Sequence, residues 1–62
     1  MFQYNLFLGA YIAACLFLLE SQAELAGVTI RYLEHGQERG ENKANRITAV
    51  LKDGVIIDIY LG

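Results

Sequence analysis

Hydrophobic residues form one continuous stretch near the start of the chain and alternate with polar residues after position 27. Residues 1–19 carry no charged side chain, and residues 6–19 are apolar on every side of a helix rather than on one face. With no proline to interrupt it, this pattern predicts one helix over residues 2–26, ended by Gly27. Such a helix needs lipid, a large core or further copies of itself to cover it.

From Val28 the period changes to the alternation that is typical of a half-buried strand. Val28–Tyr32 predicts the first strand, and Arg46–Leu51 and Val55–Leu61 predict a hairpin around a turn that contains Asp53 and Gly54. The sequence therefore predicts an α+β fold, a long N-terminal hydrophobic helix followed by a three-stranded antiparallel β-meander. Two domains are expected: residues 1–26 as a hydrophobic helix, either a membrane span or an oligomer core, and residues 27–62 as a small β-meander with a charged loop at 36–45.

The faces of the hairpin favour a three-residue loop, Lys52-Asp53-Gly54, over a two-residue loop. The longer loop makes Leu51 and Val55 the closing pair and collects the apolar side chains on one face, which fixes strand register. The further pairs on that face are Ala49 with Ile57 and Ile47 with Ile59. The polar residues 36–45 predict an exposed, mobile loop.

Length and charge restrict the class of protein. A chain of 62 residues buries little surface, and its one cysteine and one histidine exclude an internal disulfide and argue against a structural zinc site. A net charge of −2 argues against nucleic acid as the main partner. We therefore expect stabilisation by other protein subunits or self-association, with a lipid bilayer as a further candidate partner, and no small-molecule substrate.

The opening segment has three interpretations. The leading one is a single-pass membrane helix, with the C-terminal part in the cytoplasm because all basic residues follow the segment. The second is a soluble cytoplasmic oligomer in which the helices form a shared core. The third is a secretory signal cleaved after Ser21-Gln22-Ala23, although residues 1–5 lack the positive charge of such signals.

Several residues are candidates for contacts. Gly9 and Ala13 have the small-x-x-x-small spacing of close helix–helix contacts. Tyr32 and Tyr60 are candidate interface residues, since tyrosine is enriched at protein interfaces, although ordinary cross-strand packing explains them as well. The outer strands of the sheet offer edges that a strand of another chain can join.

Residues with catalytic or metal-binding chemistry are few. His35 lies near Glu34, Glu38 and Glu41, a set that favours a solvated charged loop over a site because it lacks rigid support. Cys15, inside the apolar segment, is expected to behave as a small hydrophobic residue. The sequence predicts no catalytic residue, no metal site and no cofactor, and hence no enzyme.

These features predict a small non-catalytic accessory or structural subunit. Its N-terminal helix anchors it in a membrane or multi-subunit assembly, and its β-meander presents a protein-binding surface. This layout is loosely similar to that of pilin-like and single-span accessory subunits, although the processing site and glutamate pattern of pilins are missing. The alternative is a soluble homo-oligomeric binding or regulatory protein with the hydrophobic helices as its shared core.

Overall fold

The chain folds into one helix packed on one face of a three-stranded sheet. The computed structural model describes residues 2–62, so Met1, where the predicted helical domain begins, lies outside the described residues. The elements in chain order are a short 3-10 helix at Tyr4–Phe7, α1 at Ile12–Ala26, β1 at Thr29–Glu34, β2 at Arg46–Lys52 and β3 at Val55–Leu61.

Helix α1 begins late because the backbone before it is bonded to β3. The amide of Gly9 donates to the carbonyl of Ile56 at 2.7 Å, and the amide of Ile56 donates to the carbonyl of Ala10 at 2.9 Å. The amide of Ile12 donates to the carbonyl of Gly54 at 2.8 Å. Gly9 turns the chain into this segment with φ of +86°. The predicted long N-terminal helix is therefore wrong, since residues 9–11 are bonded to the sheet instead of continuing a helix.

The length of α1 also overturns the predicted single-pass transmembrane helix. Its 15 residues extend about 22 Å at 1.5 Å per residue, whereas the hydrocarbon layer of a bilayer is about 30 Å thick. No helix within residues 2–62 is both long enough and apolar enough to cross a membrane.

The predicted helix end at Gly27 is confirmed. Gly27 adopts the left-handed conformation with φ of 75° and ψ of 24°. The amide of Val28 then donates to the carbonyl of Ala23 at 3.0 Å, which satisfies a helix-end carbonyl and directs the chain into β1.

The sheet is mixed, so the predicted antiparallel meander is wrong for its first pair. The strand order is β1-β2-β3, with β1 parallel to β2 and β2 antiparallel to β3. Either orientation of β1 turns Ile30 and Tyr32 toward α1, so the hydrophobic pattern does not distinguish them. Residues 35–45 run back across the face of the sheet opposite α1. This connection is long enough to return the chain to the end of the sheet where a parallel strand can begin.

The loop between β2 and β3 is one residue shorter than predicted. Lys52 pairs with Val55, so Asp53 and Gly54 form a two-residue loop with φ of 53° and 78°, as a type I′ turn requires. Leu51 pairs with Ile56 in this same register, and a β-bulge at Ile57 then shifts the ladder so that Val50 pairs with Asp58 and Ala49 pairs with Ile59. The predicted pairing of Ala49 with Ile57 is wrong because the bulge takes Ile57 out of the ladder.

The core lies between α1 and the sheet. Its buried hydrophobic members are drawn from every fourth residue of α1 and from the inner face of β2 and β3: Cys15, Leu19, Ala23, Ile47, Ala49, Ile56 and Ile59. Phe2 closes one end of the core and contacts the rings of Tyr4 and Phe7, with centroid distances of 6.0 and 6.4 Å.

Substitution of Gly54 by valine should destabilise the hairpin. A β-branched residue with positive φ costs about 1–2 kcal/mol or more, and we expect the free energy of unfolding to fall by that amount. Gly54→Asn is the matched control, because asparagine tolerates the left-handed conformation. Chemical denaturation at one fixed protein concentration measures the free energy of unfolding of both variants. Equal stability of the two would contradict the positive φ at position 54.

Candidate protein-interaction surfaces

The side chains that the sequence offers for chemistry are dispersed in the described part of the chain. Within residues 2–62 no group of three or more His, Cys, Asp or Glu side chains is close enough to hold a metal ion. His35 is exposed after the end of β1, and Cys15 lies in the core as a free thiol.

A largely apolar surface, interrupted by Gln22, lies on the side of α1 that faces the N-terminal segment. We call Leu6, Leu18, Leu25 and Leu61 the leucine surface; they are exposed by 77, 53, 84 and 54 % respectively. Two shallow grooves cross it, and both are lined by Phe2 and Gln22. The leucine surface is therefore one patch, of the kind that marks a protein contact.

The other side of α1 borders the edge of β1. Phe17 is 86 % exposed there. A further shallow groove, separate from the two that cross the leucine surface, lies between α1 and β1 and is lined by Glu24, Val28 and Ile30. This side mixes an aromatic ring with a carboxylate, whereas the linings of the two leucine-surface grooves contain no charged side chain.

A polar network covers the face of the sheet opposite α1. The guanidinium of Arg31 donates from Nε to Oγ1 of Thr48 at 2.9 Å and from one terminal nitrogen to the carbonyl of Arg39 at 2.6 Å. Arg39 in turn pairs with Asp58 at 3.1 Å and lies 4.3 Å from the ring centroid of Tyr60. The predicted charged loop at 36–45 is exposed, and these contacts attach it to the sheet.

Thr48 is the buried centre of this network. Its side chain is fully buried, accepts the bond from Arg31 and donates to the carbonyl of Gly62 at 2.8 Å. A buried hydroxyl that is bonded on both sides links the parallel strand β1 to the last residues of β3.

Tyr32 connects β1 to α1. Its hydroxyl donates to Glu20 at 2.5 Å. Partial burial first, and then the bond and the negative charge of Glu20, raise the pKa of Tyr32 above its ordinary value. The two predicted interface tyrosines therefore lie on opposite faces of the sheet, with Tyr32 toward α1 and Tyr60 in the polar network.

The structure separates the other predicted pair. Gly9 lies before α1 and is bonded to β3, whereas Ala13 is exposed in the first turn of α1. A helix contact by these two residues stays a prediction. Asp53 and Gly54 lie together in the hairpin loop.

Sequence reasoning missed the leucine surface although its signal was present. Leu18, Gln22 and Leu25 follow the i, i+4, i+7 spacing of one helix stripe. Only Leu18 of this stripe lies in the segment that is apolar on all sides, and Leu6 and Leu61 join the stripe only through the fold.

Comparison of the chain with protein-family models, with curated protein sequences and with solved structures gives no match. Its function is therefore argued from its own geometry.

Replacing Thr48 by valine should lower the free energy of unfolding by about 1–3 kcal/mol, because the Arg31 guanidinium and the Gly62 carbonyl each lose a buried partner. Thr48→Ser is the control, since it keeps the hydroxyl and removes one methyl group. Thermal and chemical unfolding measure the two variants, and a valine variant as stable as the parent would contradict the role of the network.

The raised pKa of Tyr32 predicts a loss of stability at alkaline pH. Tyrosine ionises near pH 10 in the unfolded chain, about its ordinary value, while the folded protein holds the phenol proton more tightly. The stabilisation is complete below that pH and is lost as pH rises toward the raised pKa.

Comparison with Tyr32→Phe isolates this contribution, because the two proteins differ only in the hydroxyl of residue 32. The parent should lose more free energy of unfolding than the variant between about pH 9 and 11. Equal losses in denaturant titrations at the two pH values would show that Tyr32 does not carry the effect.

Proposed function

We propose that the protein is a small non-catalytic subunit that assembles with copies of itself through the leucine surface. The observation that carries this proposal is the exposure of Leu6, Leu18, Leu25 and Leu61 as one patch on a chain with a small core. An isolated domain of this size is marginally stable, and covering such a patch supplies apolar burial that the monomer lacks.

The occupant we favour is a second copy of the chain. The grooves of the leucine surface are lined without charge, so two copies can meet there without repulsion in spite of the net charge of −2. A contact of one surface with itself is the arrangement found in most symmetric dimers. A partner of a different sequence remains as an outcome of the test below.

The opposite face of the sheet stays free in such an assembly. It carries Arg31, Arg39 and Arg46, while Glu20 and Glu24 belong to the helix side. In this proposal the helix side forms the shared apolar core and the sheet face with its charged loop is presented to binding partners. The same proposal places the oligomer in aqueous solution, where it should need no detergent.

Substitution of both Leu18 and Leu25 by glutamine should break the contact between copies at the leucine surface. Glutamine favours helix nearly as well as leucine, and both side chains are exposed, so the monomer should keep its fold. Each buried leucine contributes about 1.5–3 kcal/mol, so we expect association to weaken by at least about a hundredfold. Light scattering coupled to size-exclusion chromatography measures the mass over a range of concentrations, and circular dichroism checks the fold.

Ile57→Gln provides a matched control, since Ile57 is 42 % exposed and does not line either groove. This variant should assemble as the parent does. A parent that stays at the monomer mass of 6.9 kDa at all concentrations would refute self-association and leave the surface to a different protein. A doubly substituted chain that assembles unchanged would refute the leucine surface as the contact.

A further inference from the structure

The outer edge of β1 carries backbone groups that are not used by the sheet. The amide of Thr29 donates to Asn45 at 3.0 Å and the amide of His35 donates to Leu51 at 2.7 Å, at the two ends of the parallel ladder. Residues of a parallel strand alternate between the two sides, so odd-numbered residues of β1 bond to β2. Ile30 and Tyr32 therefore point their amides and carbonyls away from the sheet.

This free edge is short and is bounded at both ends. At one end the side chain of Gln37 accepts the amide of Glu34 at 2.7 Å, and the amide of Gln37 donates to the carbonyl of Glu34 at 3.0 Å. At the other end the amide of Val28 is bonded to Ala23 in the helix cap. The accessible segment is thus 28–32, with Ile30 at its centre.

The outer edge of β3 differs, because its first half is already covered. Gly9, Ala10 and Ile12 bond there to the backbone of Gly54 and Ile56, and Tyr11 forms a bridge with Val55. The edge of β1 is therefore the place where a further strand can pair along a whole accessible segment.

Side-chain chemistry makes this segment complementary to itself. Antiparallel pairing centred on Ile30 places Ile30 beside its own copy and Val28 beside Tyr32 on the helix side, all of them packed against the apolar core of their own chain. On the other face it places Thr29 opposite Arg31. Pairing centred on Arg31 would instead set two arginines directly opposite each other, which is destabilising.

We propose that β1 pairs antiparallel with β1 of a second copy in the register centred on Ile30. Four backbone hydrogen bonds form, two between the Ile30 residues and two from the Tyr32 amides to the Val28 carbonyls. The product is a continuous six-stranded sheet with both α1 helices on the same face. This contact lies on the Phe17 side of α1 and goes beyond the leucine surface, on which it does not depend.

Amide hydrogen exchange measured residue by residue tests the pairing. The amides of Ile30 and Tyr32 should be protected more strongly as the protein concentration rises, by at least about tenfold when most chains are paired. The amides of Thr29, Arg31 and Leu33 serve as internal controls, because they are bonded to β2 whether or not a copy is present. The same pattern is expected in the Leu18→Gln, Leu25→Gln protein, which separates this proposal from the proposed function.

Charge at position 29 tests the register. Thr29 is exposed but pairs with Arg46 of its own chain, so chemical denaturation must first show that both variants keep the fold. Thr29→Lys places a lysine opposite Arg31 of the copy and should weaken pairing, while Thr29→Glu places a carboxylate there and should strengthen it. We expect the two dissociation constants to differ by about tenfold, and high salt should reduce the difference.

Equal dissociation constants for the two variants would overturn the register centred on Ile30, because the register centred on Arg31 puts Leu33 opposite position 29. Exchange of the Ile30 and Tyr32 amides that does not change with concentration would overturn pairing between copies. In that case the edge is left to a strand of a different protein.

Discussion

Three backbone hydrogen bonds between residues 9–12 and β3 are the constraint on which the rest of the structure depends. They join Gly9 and Ala10 to Ile56 and Ile12 to Gly54. Because those amides and carbonyls are committed to the sheet, the helix starts only at Ile12 and is too short to cross a bilayer. The same bonds cover half of the outer edge of β3, which leaves β1 as the open side of the sheet.

The parallel pairing of β1 with β2 depends on a second set of long-range contacts. Residues 35–45 return across the sheet without a helix to stabilise them, and the contacts of Arg31 and Arg39 bind this connection to the strands. Through Arg31 these contacts reach Thr48 at the centre of the sheet, so the crossover is connected to the same polar network as β2. The charged loop, which the sequence predicts to be mobile, is thereby attached to the sheet at its middle, through Arg39.

Local signals predicted the parts of the fold that local physics decides. The left-handed Gly27 ended the helix as expected, and the alternation from Val28 to Tyr32 correctly indicated a strand with its apolar side toward α1. The start of the helix was missed because Gly9 costs only about 1 kcal/mol inside a helix. That small local penalty does not reveal that its amide meets Ile56, far along the chain.

The hairpin loop was predicted wrongly and the candidate surfaces were not predicted. In both cases the deciding feature is produced by the fold and has no local sequence signal. The two-residue turn was rejected because it places Ala49 opposite Asp58 in a regular ladder, and the bulge at Ile57 removes that objection by shifting the register. Leu6 and Leu61 are distant in sequence and belong to one patch only after residues 2–10 fold back along α1. The unpaired edge of β1 follows from the strand order, which depends on the crossover.

The apolar segment that dominates the sequence is thus divided among several environments. Residues 15 and 19 enter the core with Ala23, while Leu18 and Phe17 face opposite sides of α1 and remain exposed. A self-contact at the leucine surface and a self-contact at β1 would use different sides of the molecule. If the two symmetry axes intersect at a right angle, two such contacts close a four-chain assembly with paired sheets; axes that do not intersect propagate an open chain of subunits. In either arrangement the leucine surface enters the core of the assembly, and the arginine-bearing face of the sheet remains at its surface.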